Sequence, residues 1–256
     1  MRIAISGTAN MGKSTLISDM IATWPSYTTE TFTYRSNLKD KNHSSKTNKD
    51  TQWDILNQIV DGMGKYKKGD KVVFDRCSLD NLVYTMWAYQ KQTSDIDKDF
   101  VDKCIPIVKN SLKNLDMIIF LPITKAAPVA IVDNGTREVD PVYIKEIDNL
   151  FKALTIQYKH NFGRNPFFPS DDCPGVVEIF GNPQERIAML KYYLDVDGDL
   201  IGGHSANFID PSNKNEMVDL LKTQEAQHKS ESAYKAELEK IKEFKRVNKM
   251  TGSKFF

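Results

Sequence analysis

Short apolar runs recur along the chain at Ile3 to Ser6, Thr28 to Tyr34, Lys71 to Asp75, Asp116 to Leu121 and Val176 to Phe180. Runs of this length, bounded by polar or turn-forming residues, predict strands. Between them lie helical patterns. Leu16 to Ile21 is amphipathic, and Asp54, Ile55, Ile59, Val60 and Met63 sketch a helix that starts near Thr51 and ends at Gly64. Ser78 to Gln92, Asp97 to Leu112 and Pro141 to about His160 give three more, with Pro141 suited to a first helical turn. Strands alternating with helices predict an α/β fold: a three-layer sandwich around a five-stranded, mainly parallel sheet.

Other segments break that alternation. Residues 36 to 50 are polar and read as a loop, which at that length is usually functional or disordered. Pro122 to Asp140 is punctuated by proline and glycine. Beyond Arg186, Tyr192 to Ile201 reads as a hairpin about an Asp-Gly turn. Asp195, Asp197 and Asp199 alternate as in a calcium loop, but the glycine falls at the fourth position and Ala206 stands where the closing Glu belongs. From about Asn213 to Lys249 the chain favours a charged helix, and residues 222 to 256 carry eight Lys and one Arg against five Glu, a net of +4. This tail reads as a solvated or self-associating helix, with a nucleic-acid arm as the rival. The division that follows is a domain over 1–192 and an extension over 193–256.

Composition narrows the partners. Thirty-five Lys and Arg against 34 Asp and Glu leave a formal charge of +1, so no global field selects nucleic acid or membrane. Cys77, Cys104 and Cys173 are dispersed and fit buried thiols in a reducing cytoplasm. No apolar run approaches the roughly 20 residues of a membrane span. The expectation is a soluble, cytoplasmic protein.

Gly7-Thr8-Ala9-Asn10-Met11-Gly12-Lys13-Ser14-Thr15 follows the first strand directly and is a complete GxxxxGK[ST] phosphate loop. Its glycines allow backbone N–H groups to turn around a β-phosphate, Lys13 reaches the β- and γ-oxygens, and the Ser14 hydroxyl ligates Mg²⁺. The third strand ends in Asp75-Arg76, where an open α/β sheet places ligands. Asp75 is a candidate for Mg²⁺ and Arg76 for an anionic substrate group; the competing reading is a helix cap and a surface pair. Glu30, with Arg35 five residues on, could accept a proton from an attacking hydroxyl or be an ordinary edge-strand residue. Arg137 is a candidate lid arginine or an exposed turn residue. Gly181, Asn182, Pro183 and Arg186 form a strand–turn–helix start that could line a nucleobase.

In this order, GxxxxGKST, ExxxxR, DR followed by SLDNLVY, GTREVDPVYIKEID and GNPQER, the chain resembles the P-loop small-molecule kinases over roughly residues 1 to 192. The resemblance is to the AAA-type ATPase/kinase domains related to the nicotinamide-riboside kinase half of bifunctional NAD regulators, and more distantly to thymidylate and deoxynucleoside kinases. It implies a P-loop NTPase fold, phosphate and magnesium at Lys13 and Ser14, metal and substrate at Asp75 and Arg76, a lid at Arg137 and a nucleobase at Gly181 to Arg186. The loop at 36 to 50 and the insertion at 162 to 175 depart from the pattern, so the family's substrate is not carried over.

The expected activity is transfer of the γ-phosphate of ATP, with GTP as the alternative donor, to a nucleoside- or nucleotide-like small molecule. A kinase acting on a hydroxymethylated base in DNA and a P-loop ATPase or nucleotide-dependent switch are the rivals. An NKxD-like run at Asn48 to Thr51 lacks the final Asp and precedes the third strand, which weakens a guanine-reading switch. Homo-oligomerisation stays open.

Overall fold

A computed structural model describes residues 1–30, 47–92, 94–125, 140–160 and 165–201. Among these, five strands form one sheet: β1 Arg2–Ser6, β2 Thr28–Glu30, β3 Val72–Asp75, β4 Met117–Phe120 and β5 Gly175–Glu178. Their order is β2-β3-β1-β4-β5, and every pairing is parallel. The strand order reverses about β1, which has β3 on one flank and β4 on the other. That is the topological switch at which such sheets bind ligands beyond their strand C-termini.

Among the described residues six α-helices cover both faces: α1 Lys13–Thr23, α2 Lys49–Gly64, α3 Ser78–Lys91, α4 Lys98–Ser111, α5 Pro141–His160 and α6 Pro183–Leu190. Local chemistry sets their starts. Asn48 accepts the Thr51 amide at 2.9 Å, so α2 begins two residues before the Thr51 expected from the apolar period. Asp97 accepts the Phe100 amide at 2.9 Å at the head of α4. Asn182 and Glu185 close a capping box ahead of Pro183 in α6.

Strand alternation divides the core. Ala4, Phe74, Ile118 and Phe120 face the helices α2 to α5, with Phe120 stacked on Phe151 at 5.4 Å. Ile3, Ile5, Val73 and Ile119 face the other way, onto Leu16, Ile17, Met20 and Leu190 of α1 and α6. β1 is buried along its whole length, as a central parallel strand must be.

Residues 193–201, grouped by sequence with the extension, lie against the residues that follow α1. Leu194 and Ile201 are buried, and the two arms of the hairpin meet in one antiparallel bridge, Leu194 to Leu200. Trp24 Nε1 donates to the Asp195 carbonyl at 2.8 Å and the Tyr27 hydroxyl to the Gly198 carbonyl at 2.6 Å. Asp195 Oδ1 accepts the amides of Asp197 and Asp199, both at 2.9 Å, so the acidic alternation serves a turn. No helix of the described residues is long and apolar enough to cross a membrane. The continuation of the second strand through Tyr34, most of the polar loop, the segment carrying Arg137 and the charged helix after Asn213 lie outside the described residues.

Candidate functional site

The phosphate loop leaves β1 at Ser6 and enters α1 at Lys13. Gly7 has φ +139°, and a Cβ there would meet the Leu121 carbonyl oxygen at 2.9 Å, so only glycine lets the chain pass the end of β4. Asn10 (φ 62°) and Gly12 (φ 73°) add two left-handed residues that curl the loop. Met11 is buried beneath it. Thr15 follows Lys13 and Ser14 in the first turn of α1. Lys13 Nζ donates to the carbonyls of Gly7 at 2.8 Å and Thr8 at 2.6 Å, which folds its ammonium over the loop.

Ser14 Oγ donates to Asp75 Oδ2 at 3.4 Å. Asp75 pairs in register with Ile5 of β1, so the strand ladder brings it beside the loop. Its second oxygen, Oδ1, is buried with no hydrogen-bond partner among the described residues. A buried carboxylate oxygen without a donor, next to an alcohol, suits a hard divalent cation that keeps several waters. No cluster of three or more His, Cys, Asp or Glu competes for a metal among the described residues.

Arg76 adopts φ +85°, uncommon for a residue with a side chain, and its amide donates to the Ile5 carbonyl at 3.1 Å. Its guanidinium donates to the Tyr84 hydroxyl at 3.3 Å, lies 5.5 Å from that ring's centre and sits 3.7 Å from Asp80 Oδ1. Asp80 was not singled out from sequence. Its carboxylate, only 1% exposed, accepts from Ser6 Oγ at 2.7 Å, Cys77 N at 3.0 Å and Gly7 N at 3.3 Å. The available signal was the spacing Cys77-x-x-Asp80 behind a strand, which is a capping box with an unusual first residue.

Glu30 pairs with Phe74, one position before Asp75, so the two carboxylates leave the sheet on opposite faces. Glu30 Oε2 accepts the Tyr66 hydroxyl at 2.5 Å, and Oε1 lies 3.5 Å from Lys65 Nζ. The bond to Glu30 pushes the Tyr66 hydroxyl up to about 12, with burial adding to it. Arg35 and Arg137 lie outside the described residues.

At the other edge of the loop, Gly181 has φ +101° and Glu185 packs where its Cβ would go. Asn182 Oδ1 accepts the Glu185 amide at 3.0 Å, and Glu185 Oε2 accepts the Asn182 amide at 2.8 Å. Arg186 is buried: Nε donates to the Gly181 carbonyl at 2.8 Å and Nη1 to the Met11 carbonyl at 2.7 Å. Its guanidinium thus joins the turn to the phosphate loop. Burial pulls its pKa down, opposed by the charge of Asp19. The cysteines are free thiols: Cys77 and Cys104 are buried and Cys173 partly so, and desolvation pushes Cys104 and Cys173 up to about 11. Burial outweighs the nearby charge of Lys109 at Cys173.

Residues 2–165 match a family model described as an AAA domain. Comparison with curated proteins finds no match. Among solved structures, similarity extends to the NadR protein in complex with NR at 16% identity and a TM-score of 0.48, covering 70% of this chain and 45% of that one. The NadR protein in complex with NAD and AMP-PNP gives 14% identity and a TM-score of 0.45, over 70% of this chain and 44% of that one. Deoxyadenosine kinase from M. mycoides with bound dATP gives 19% identity and a TM-score of 0.47, over 67% of this chain and 91% of that one. The chain therefore spans less than half the length of the two NadR chains.

Proposed function

The chain belongs to the AAA domain family, whose model covers residues 2–165, and from that membership we propose that it is an ATP- and Mg²⁺-dependent phosphotransferase acting on a nucleoside- or nucleotide-like acceptor. The observation that carries the reading is the pair Ser14 and Asp75, 3.4 Å apart at the mouth of the phosphate loop, with Asp75 Oδ1 buried and unpartnered among the described residues. Ser14 and Asp75 would hold magnesium there, and it would supply neutralisation of the charge that develops during transfer.

The remaining roles belong to the chain itself. The loop's amides and the first turn of α1 present N–H groups and a positive dipole end to the phosphates. Lys13 exchanges the carbonyls of Gly7 and Thr8 for phosphate oxygens. Gly181, Asn182 and Pro183 flank the nucleobase, while Arg186 fixes that turn against Met11. Arg76 follows the metal-holding carboxylate directly and supports an acceptor over bare hydrolysis, because its cation is held beside Tyr84 and ready for an anionic or hydroxylated group. Glu30, which leaves the sheet on the face opposite Asp75 and is bonded to Tyr66, fits an edge-strand carboxylate better than the acceptor's base, while Arg35 and Arg137 are the further cations proposed for the acceptor and the phosphates. Rate enhancement then comes from positioning and electrostatics, with no covalent enzyme intermediate. Three thiols held in the neutral form suit a reducing, cytoplasmic setting.

The test is ADP release measured with Mg²⁺-ATP and with Mg²⁺-GTP against a panel of nucleosides, nucleotides and hydroxymethylated DNA, with Lys13→Ala as the control. Acceptor-dependent release, lost in Lys13→Ala, supports the proposal. Acceptor-independent turnover overturns it in favour of an ATPase or switch. Turnover confined to DNA and collapsing steeply with salt assigns the acceptor to a polymer and the basic tail to its backbone.

A further inference from the structure

Building on the phosphotransferase reading, we propose that Asp80 is a positioning residue that ties the acceptor-side cation Arg76 to the first amide of the phosphate loop, so that the two halves of the site are set together. A helix cap accounts for only one of its bonds, the one from the Cys77 amide at 3.0 Å. Contacts to Ser6, Gly7 and Arg76 reach beyond the capping residue. Oδ2 also accepts from Ser6 Oγ at 2.7 Å, on the last residue of β1, and from Cys77 Sγ at 3.6 Å. Oδ1 is shared between the Gly7 amide at 3.3 Å and the guanidinium of Arg76 at 3.7 Å. One buried oxygen thus touches the loop and the cation at once.

The surroundings make this contact consequential. The Asp80 side chain is 1% exposed and that of Arg76 11%, so their attraction is weakly screened and any displacement of one is felt by the other. Arg76 also holds a backbone at φ +85°, which is strained for a residue with a side chain and persists only when neighbours over-determine it. Those neighbours are the Ile5 carbonyl, Tyr84 and Asp80. Asp80 holds the Gly7 amide in the place the loop needs, so an acceptor group that moves Arg76 moves Asp80 and the loop with it, and a phosphate that shifts Gly7 is felt at Arg76 in turn. Such coupling is reciprocal between the two sites.

A double-mutant cycle on the full chain tests this through ATP affinity, measured by titration with Mg²⁺ and needing no acceptor. Asp80→Asn and Arg76→Gln are expected each to weaken ATP, and the double variant to be weaker by a factor about 3- to 30-fold smaller than the product of the two. Arg76→Lys should restore most of the coupling. Single-variant effects on ATP affinity that multiply, or variants that change only the melting temperature, overturn the proposal and leave Asp80 a helix cap. Should Asp80→Asn not fold, the Gly7 amide resonance in Arg76→Gln decides instead: a displaced resonance supports the link and an unmoved one removes it. A coupled cycle without acceptor-dependent ADP release sinks the phosphotransferase reading alone. Multiplicative effects in an enzyme that turns over its acceptor sink only the role of Asp80.

Discussion

Gly7→Ala examines the geometry of the phosphate loop at its tightest point. The backbone there sits at φ +139°, which a side chain adopts at a cost of about 1–3 kcal/mol. The added Cβ would lie 2.9 Å from the Leu121 carbonyl oxygen. That oxygen cannot retreat freely, since the Leu121 amide is bonded to the Ser6 carbonyl at 3.0 Å and the side chain is buried. Relieving the overlap requires a shift of a few tenths of an ångström in packed backbone, at about 1–3 kcal/mol by analogy with overpacked cores. The two effects together make about 2–6 kcal/mol, or a fall in Tm of about 4–24 °C for a chain of this size. If the loop relaxes, part of the cost appears as weaker ATP binding at about tenfold per 1.4 kcal/mol. Gly64→Ala is the matched control: it stands at the end of α2 with nothing within 4 Å of a new Cβ and no positive φ. It should raise stability by about 0.4–1 kcal/mol. Thermal unfolding and ATP titration on both variants read the comparison. Gly7→Ala with Tm and ATP affinity both unchanged would refute the reasoning.

Asp75→Asn, which removes the charge facing Ser14, should lower turnover by about 10²-fold or more and raise the Mg²⁺ concentration needed for half-maximal activity; a magnesium titration at saturating ATP checks it. Glu30→Gln should bring the Tyr66 hydroxyl from about 12 back toward 10, read from its ring resonances against pH. Because the folded value is raised, the stability Tyr66 contributes is complete below about pH 10 and is lost as pH climbs from there toward about 12, so the variant should lack that slope. Leu194→Ala should cost about 2–4 kcal/mol by emptying a site in the core it shares with α1, measured by urea unfolding. A cost near zero would detach residues 193–201 from the domain's core.

The parts of this protein that are legible in sequence are local ones. The phosphate loop declares itself because glycine, lysine and serine must stand at set spacings after a strand. The parallel sheet follows from five short apolar runs separated by helical periods. Residues whose partners lie far along the chain are harder to read. Arg186 looks like a base-side arginine until the fold brings it to the Met11 carbonyl, 175 positions away. Glu30 finds Tyr66 only when β2 pairs with β3 and the end of α2 folds over the edge. Asp80 is hard to read from sequence because cysteine is an uncommon first member of a capping box, and because its bonds to Ser6 and Gly7 require β1 and β3 to be neighbours. The Asp-Gly turn at 197–198 could be expected from its two residues. Its seat on Trp24 and Tyr27 could not, since nothing near it in sequence marks that surface.

Under the proposed function this site moves a phosphoryl group to an acceptor. The most direct measurement of that transfer is ATP labelled at the γ-phosphate, incubated with Mg²⁺, the full chain and a pooled set of nucleosides and nucleotides, with products separated by mass. The account predicts label on one acceptor, equal in amount to the ADP formed and absent with Lys13→Ala. Label recovered wholly as inorganic phosphate, whatever acceptor is present, would contradict it.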